Sequence, residues 1–262
     1  MRAGTSARTA NTRRLSLSAK MDEYEAELKD SRQRFMDDPA ISPLFSPECE
    51  DRLFARWMLR YNAHGIHMTH DVERWISSAG ERCGELGMDQ LEKALKAHSR
   101  AEAGHDRMMV DDTYAIANWW LERYGEPVDA DGLLARPPLA TAAFYAKFHE
   151  QVIAGPTPFA QLAIEYEIER LSVTIGPVLM ATCERVFHPD ASCYTFLAEH
   201  VELDAGHTAF NQRQLGGVLA ASPGALSTMI ETGKAALASY AAFMAECLDL
   251  ARGDLESERV SP

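Results

Sequence analysis

Apolar residues recur at helical spacing along most of the chain, from about Met21 onward. No segment shows the alternation of apolar and polar residues, bounded by turn residues, that is typical of strands in hairpins. The pattern predicts helices over residues 22–36, 46–86 with a bend near Gly65, 89–124, 138–154, 157–187, 191–220 and 223–252, with a loop over 125–137. We therefore expect one all-α domain over residues 21–262, a bundle of about seven helices.

Residues 1–20 differ from the rest of the chain, because they carry several basic residues, no acidic residue and many Ser and Thr. Such a segment has too little apolar surface to offset the entropy lost on ordering, so it is expected to be a disordered basic tail. A transit peptide has a similar composition. A third interpretation is that translation begins at Met21, where the helical pattern starts.

The charge of the chain excludes some classes of function. Lys and Arg number 26 against 39 Asp and Glu, and the formal net charge of −13 argues against nucleic acid as a partner. The longest apolar stretch, residues 235–245, is too short to span a membrane, and no secretory signal follows the basic start. The five cysteines are scattered, without a CxxC pair, which argues against a disulfide framework or a zinc ribbon and favours the cytoplasm.

Polar residues interrupt the apolar stripe of the helix predicted from Asp89. Alternate steps of four and three residues, which follow one helix face, pass through Leu91, Leu95, His98, Glu102, His105, Met109, Asp112, Ile116 and Trp119. The two ends of this face are apolar, but its middle consists of histidines and carboxylates. Burying such groups is costly unless they are paired or bind a metal ion.

Two later helices show related interruptions. In the helix predicted over 191–220, His200, Asp204 and His207 follow one another at i, i+4 and i+7 on an otherwise apolar stripe. In the helix over 157–187, Glu165 interrupts the stripe, and Glu169 one turn later is its only serious competitor. Glu167 lies about 200° around the helix from Glu165 and should face elsewhere.

Each interruption alone has an ordinary explanation. A lone histidine on an apolar stripe is more often a hydrogen-bonded core residue than a ligand, Glu102-x-x-His105 is common on solvated helices, and HxxxDxxH could be a buried polar network. Together, on three helices of one bundle, they supply three histidines and three carboxylates. Helical bundles build di-iron sites from such inward-facing side chains.

The ligand chemistry favours iron or manganese over zinc. Two divalent ions carry four positive charges, and three carboxylates contribute three negative ones. The site would be left near +1, with open coordination positions for an anionic ligand. A closed zinc site would need four ligands and prefers thiolates. Imidazole and carboxylate ligands with vacant positions are typical of non-haem iron that activates oxygen.

With these motifs the chain resembles the haem-oxygenase-like di-iron oxidases and oxygenases, over about residues 46–248. Within that family it is similar to a fatty-acid decarboxylase that releases 1-undecene. The matching motifs are AEAGH, LAIEYEIERLS and HVELDAGH. The resemblance implies a haem-oxygenase-like fold, two Fe(II) ions with O2 as co-substrate, and a set of catalytic metal ligands that comprises Glu102, His105, Glu165, His200, Asp204 and His207.

The segment HGIHMTH bears on the substrate. His64, His67 and His70 lie at i, i+3 and i+6, which fits either a polar, partly exposed helix or the lining of a substrate pocket. If they line the pocket, they favour a small polar substrate over a fatty acid. Asp112 and His98 share the face of the ligands, and either could hydrogen-bond to a ligand histidine or lie in water at the bundle ends.

We therefore expect an O2-activating non-haem di-iron oxygenase that acts on a small polar metabolite, with N-oxygenation of an amine or amino-acid-like compound favoured. The alternatives are oxidative decarboxylation or C–C cleavage of an amino or fatty acid, a non-catalytic iron-binding protein, and a metal-free helical binding module. A small-molecule substrate is expected, without nucleic acid or membrane. An external electron donor and a homodimer are compatible with the sequence.

Overall fold

The computed structural model describes residues 4–260 of the chain, and the side chains of residues 19–258. This part of the chain contains helices and no strand, as the all-α prediction requires. Its ten α-helices are joined by short turns, some of them 3-10 helices. They are α1 Gly4–Asp37, α2 Asp51–Thr69, α3 Val72–Glu85, α4 Asp89–Ser99, α5 His105–Tyr124, α6 Ala130–Leu134, α7 Ala140–Ala154, α8 Gln161–Phe187, α9 Thr195–Ala221 and α10 Leu226–Val260.

The first helix begins earlier than the sequence pattern indicated. It starts at Gly4, whereas the helical pattern was expected to start at about Met21. Residues 5–20 contain neither Pro nor Gly, so nothing in the sequence ends a helix between Gly4 and Met21. Residues 1–3 lie outside the described residues, and the role of the basic segment stays a prediction.

The second helix differs from expectation at both ends. It starts at Asp51 and not at Ser46, whose hydroxyl oxygen accepts a hydrogen bond from the N–H of Glu48 at 3.1 Å in the preceding turn. The helix also continues through Gly65 without a break and ends only at Thr69. A side chain at Gly65 would place its Cβ 2.7 Å from the Cε atom of Met109, so this glycine lets α2 and α5 approach closely.

The single helix expected over 89–124 is two helices, α4 and α5. The turn between them ends at Gly104, whose φ of +85° is favoured only for glycine. The sequence did contain a signal, because glycine is accepted at the N-cap of a helix and an acidic residue such as Asp106 is favoured in the first turn. This break is important for the site, because it falls within the stripe of polar residues.

The helices pack around one hydrophobic core. α8 lies against α9, α2 against α5, and α10 against both α2 and α8. Trp57, Trp75 and Trp120 are among the largest side chains that are fully buried. None of the helices in the described residues has an apolar stretch long enough to cross a membrane.

Candidate metal centre

Histidine and carboxylate side chains from α4, the turn before α5, α5 itself, α8 and α9 meet in the middle of the bundle. They form two groups, and within each group one potential ligand atom per residue lies within 4.8 Å of the others. Glu102 belongs to both groups, so its two carboxylate oxygens can serve two ions. The first group is His98, Glu102, Glu169 and His207, and the second is Glu102, His105 and His200.

The break between α4 and α5 places the first pair of side chains. Glu102 lies in the turn, and His105 is the first residue of α5, so the expectation that one continuous helix face carries both was wrong. The turn nevertheless keeps them together, with His105 Nδ1 at 3.2 Å from Glu102 Oε2. Both side chains are about nine-tenths buried.

Asp112 holds the start of α9. Its buried carboxylate accepts hydrogen bonds from the backbone N–H groups of Thr195 at 2.9 Å and Phe196 at 3.0 Å, and from the Thr195 hydroxyl at 2.6 Å. The first N–H groups of a helix have no partner within the helix, and a carboxylate supplies one. The carboxylate of Asp112 therefore bonds to the start of α9 and not to a histidine of the cluster, and it fixes the helix that carries His200.

His200 is oriented by the backbone of its own helix. Its Nδ1 lies 2.7 Å from the carbonyl oxygen of Phe196, so the Nδ1–H donates there and Nε2 keeps its lone pair. Burial lowers the pKa of His200, which favours the neutral ring. A neutral imidazole with one nitrogen held by a carbonyl is the common state of a metal-binding histidine.

The atoms around His207 fit a metal ion better than they fit one another. His207 Nδ1 lies 3.1 Å from Glu102 Oε1 and 3.4 Å from Asp204 Oδ1. Glu102 Oε1, His207 Nδ1 and His105 Nδ1 are all buried, and none is aligned for a hydrogen bond with a described residue. Buried polar atoms rarely stay unpartnered in native proteins. One cation in each of the two groups would supply a partner for these atoms.

The charges of the metal-free site follow from these contacts. The carboxylates of Asp204 and Glu102 raise the pKa of His207 to about 10, although partial burial opposes this. Burial would raise the pKa of Glu102, but the imidazoles of His105 and His207 outweigh it and hold that pKa well below its ordinary value. Glu102 is therefore ionised beside a protonated His207, and a metal ion would take the place of that proton.

Glu169 occupies the side of the cluster nearest to α4. Its Oε1 lies 3.1 Å from His98 Nε2, and its Oε2 accepts a hydrogen bond of 2.7 Å from Asn211 Nδ2. Burial raises the pKa of Glu169 well above its ordinary value, while the bond from Asn211 acts in the opposite direction. His98 thus contacts a carboxylate of the cluster and, with Glu169, offers a further ligand atom.

Glu165 lies one helical turn before Glu169 and faces the same cavity. Its Oε1 accepts a hydrogen bond of 2.5 Å from Gln161 Nε2. Burial, followed by the neighbouring Glu169, raises the pKa of Glu165 to about 8. Neither Glu165 nor Asp204 belongs to the two groups of closest ligand atoms, so their assignment as ligands stays a prediction.

The expectation that Glu167 faces elsewhere is confirmed. Its carboxylate is fully buried between α8 and α1, where it accepts a hydrogen bond of 2.9 Å from Tyr24. Arg32 donates two more, at 2.8 Å from Nε and 2.7 Å from Nη2. Glu167 therefore joins helices and does not take part in the cluster.

A cavity adjoins the cluster, and the empty space between its walls, counted out into the open solvent, is about 1190 Å³. Glu102, His105, Glu165 and His200 form part of its wall. Most of the remaining wall is aromatic or aliphatic, and includes Trp57, Met68, Ile168, Leu179, Phe196 and Phe243. A space of this shape and lining fits a largely apolar ligand.

The histidines of HGIHMTH do not line this cavity. His67 Nε2 lies 3.2 Å from the carbonyl oxygen of Arg136, and His70 Nδ1 lies 3.0 Å from Asp106 at the surface. His64 is buried, but it too is absent from the cavity wall. The side of α2 that faces the cavity carries Asn62, Gly65, Met68 and Thr69. The sequence-based argument for a pocket made polar by these histidines is therefore wrong.

Comparison with known proteins tests the fold. No family model matches the sequence, and no curated protein does. A domain of unknown function with a heme oxygenase-like fold from Shewanella denitrificans is 16% identical, with a TM-score of 0.62 over 94% of each chain. This chain has a haem-oxygenase-like fold. A TenA homolog from Pseudomonas syringae pv. tomato is 12% identical, with a TM-score of 0.66 over 87% of this chain and 92% of its own.

At these identities the likeness establishes the haem-oxygenase-like fold alone, and the chemistry has to be argued from the site. Of the six predicted ligands, the structure places Glu102, His105, His200 and His207 in the two groups of closest atoms. It adds two residues that sequence reasoning kept out of the ligand set, His98 and Glu169. Both carried a usable signal, because each lies one turn from a predicted ligand on the same polar stripe.

Proposed function

We propose that this chain is an O2-activating non-haem di-iron oxygenase. The observation that carries the proposal is the pair of ligand groups that share Glu102, beside a cavity whose wall several of these residues form. The donor atoms are imidazole nitrogens and carboxylate oxygens, which suit iron, and no cysteine belongs to either group. Bound ferrous iron would supply electrons and open coordination positions for the activation of dioxygen.

The protein itself positions the proposed metal ligands and shields the metal centre from water. Phe196, Asn211 and Gln161 hold His200, Glu169 and Glu165 through single hydrogen bonds, which fixes the direction in which each ligand atom points. The apolar wall of the cavity excludes water from the oxidising centre, and this protects the substrate and the protein from side reactions.

The cavity also guides the choice of substrate. The sequence favoured a small amine and N-oxygenation, on the argument that the pocket is polar. Because the wall beside the cluster is mainly apolar, we now favour the second alternative, the oxidative decarboxylation or C–C cleavage of an acid that carries an apolar chain. Burying each methylene group in such a cavity contributes about 0.8 kcal/mol.

Anaerobic titration with ferrous iron tests the proposal first. A di-iron enzyme should bind about two equivalents per chain, and exposure to oxygen should then consume O2 faster when a substrate is present. Binding of many more ions per chain would support iron storage instead. If no iron binds, the cluster is a polar network in a helical binding module, and the proposal is wrong.

A substrate screen separates the two chemistries. Dodecanoic acid and a set of small amines and amino acids would be offered to the iron-loaded protein, with the products identified by mass spectrometry. A shortened hydrocarbon product from the acid supports decarboxylation, whereas a hydroxylamine or nitro product from an amine supports N-oxygenation. An external electron donor, a homodimer and a cytoplasmic location stay predictions.

A further inference from the structure

His149 on α7 is a buried histidine that the cluster does not use. It is 1% exposed, and its ring stacks on the indole of Trp75 with centroids 4.2 Å apart and planes inclined by 10°. Tyr145 packs edge-on against the other part of the ring, with centroids 4.5 Å apart. The ring is therefore held in one orientation, and it forms part of the cavity wall together with Glu165.

The hydrogen bonding around His149 determines which nitrogen carries the proton. Gln161 Nε2 lies 2.7 Å from His149 Nδ1 and 2.5 Å from Glu165 Oε1. In the metal-loaded protein a ligating Glu165 is ionised, and the opposite orientation of this amide would set its oxygen against that carboxylate, which is repulsive. The amide therefore donates to Nδ1, and a neutral His149 carries its hydrogen on Nε2. Burial lowers the pKa of His149 to about 3, in agreement with a neutral ring.

The Nε2–H of His149 has no partner. Nε2 is buried and forms no hydrogen bond with any described residue. An unsatisfied buried donor costs free energy, so such a group usually has a partner that binds there. Since His149 borders the cavity and connects through one amide to a carboxylate of the cluster, the missing partner would lie close to the metal centre.

We propose that His149 is a substrate-binding residue, whose Nε2–H donates a hydrogen bond to an oxygen of a carboxylate or carbonyl group on the substrate. This rests on the proposed function and deepens it, because it names the polar group that accompanies the apolar chain. An ammonium group offers only donors and cannot accept from Nε2–H. His149 therefore selects acids over amines of the same chain length.

The test measures binding with the full chain loaded with Mn²⁺ and without reductant, so that no turnover occurs. The ligands are dodecanoic acid and dodecylamine, titrated calorimetrically below the concentrations at which they form micelles. Wild-type protein should bind the acid more tightly than the amine. His149→Phe keeps an aromatic ring for stacking and lacks the donor, so it should weaken binding of the acid about tenfold or more and leave that of the amine within about twofold.

Two further variants complete the design. His149→Gln should recover part of the affinity for the acid, because its amide N–H can stand where Nε2–H stands. His70→Phe makes the same change as His149→Phe at a histidine whose side chain is 71% exposed, outside the cavity, and should bind both ligands as the wild type does. Circular dichroism checks that each variant folds.

The possible results separate the two proposals. If wild-type protein does not prefer the acid, or if His149→Phe binds dodecanoic acid as tightly as wild type, His149 does not hold the substrate and the inference is overturned. Where His149→Phe fails to fold, the preference of the wild type is measured again without Mn²⁺, because bound metal ions also attract a carboxylate. Failure of the chain to take up about two Mn²⁺ ions would count against the metal centre, independently of what His149 does.

Discussion

Asn211→Leu tests whether Glu169 belongs to the metal centre. Asn211 is fully buried on α9, and its Nδ2 donates a hydrogen bond of 2.7 Å to Glu169 Oε2. Its own Oδ1 has no hydrogen-bond partner among the described residues. Leucine has a similar volume and removes the donor without leaving a large cavity. The change therefore removes the support of Glu169 with little change in the packing around it.

The expected loss of metal affinity follows from two estimates that agree. A hydrogen bond to a charged group contributes about 1.5–3 kcal/mol. Mutation of a residue that orients a metal ligand typically lowers metal affinity by about 10–100-fold, which corresponds to about 1.4–2.8 kcal/mol. The hydrogen bond from Asn211 also opposes the raised pKa of Glu169, so without it the metal must displace a more tightly held proton.

The stability of the metal-free protein should change much less. There burial raises the pKa of Glu169 well above its ordinary value and disfavours its charged form, so the hydrogen bond from Asn211 contributes less. Leucine also removes Asn211 Oδ1, which is itself an unsatisfied buried acceptor. Since the loss and the gain oppose each other, we expect the free energy of unfolding to stay within about 1 kcal/mol of wild type.

The assay combines anaerobic ferrous titration, against a competing chelator, with urea unfolding of the metal-free protein. Gln212→Leu is the matched control, because it makes a similar amide-to-leucine change at the next position of α9, on the exposed side. It should leave metal affinity unchanged. If Asn211→Leu binds both ions with wild-type affinity, Glu169 is not a ligand and the reasoning from its contacts is refuted.

Three further predictions concern the same site. His207→Ala should lower the iron bound from about two per chain to about one or fewer, measured by metal analysis; two tight irons with normal oxygen consumption would remove His207 from the site. Glu165→Ala and Glu169→Ala should each impair oxygen consumption. Glu167→Ala should keep metal uptake and lose about 3 kcal/mol of stability in urea, since it removes the buried partner of Tyr24 and leaves Arg32 with Glu25 alone. Because burial lowers the pKa of His149 to about 3, the unfolded chain takes up a proton at this histidine between pH 6.5 and 3 and the folded protein does not. The free energy of unfolding should therefore fall as the pH falls from 6.5 toward 3. Urea unfolding of His149→Gln should show a shallower loss in that range, and an identical pH profile would contradict this.

The sequence predicted the positions of the candidate ligands best where the helix is regular. On α9 the spacing of His200, Asp204 and His207 places three polar groups on one face, and the structure has that helix unbroken from Thr195 to Ala221. Periodicity works there because each residue turns the chain by the same angle. Glu167 was excluded by the same geometry, and its bonds with Tyr24 and Arg32 agree with it.

Periodicity failed where the chain leaves the helix. Glu102 lies in the turn before α5, so its direction follows from the positive φ of Gly104 and not from a helical face. The role of HGIHMTH could not be read either, because α2 contacts other helices on several sides. Which of those sides faces the cavity depends on packing with α5 and α10, and residues far apart in sequence determine that packing.

The pKa values together explain how a bundle that buries Glu102, Glu165 and Glu169 can fold before it binds a metal. Burial and repulsion from Glu169 raise the pKa of Glu165 to about 8, so Glu165 is mainly protonated below that pH. Burial raises the pKa of Glu169 as well. Glu102 stays ionised, but His207, with a pKa of about 10, carries a compensating proton. Most of the charge at the site is therefore neutralised by protons in the metal-free protein. Two divalent ions would replace these protons. Metal binding would thus exchange one set of positive charges for another, and each of these carboxylates would keep a partner.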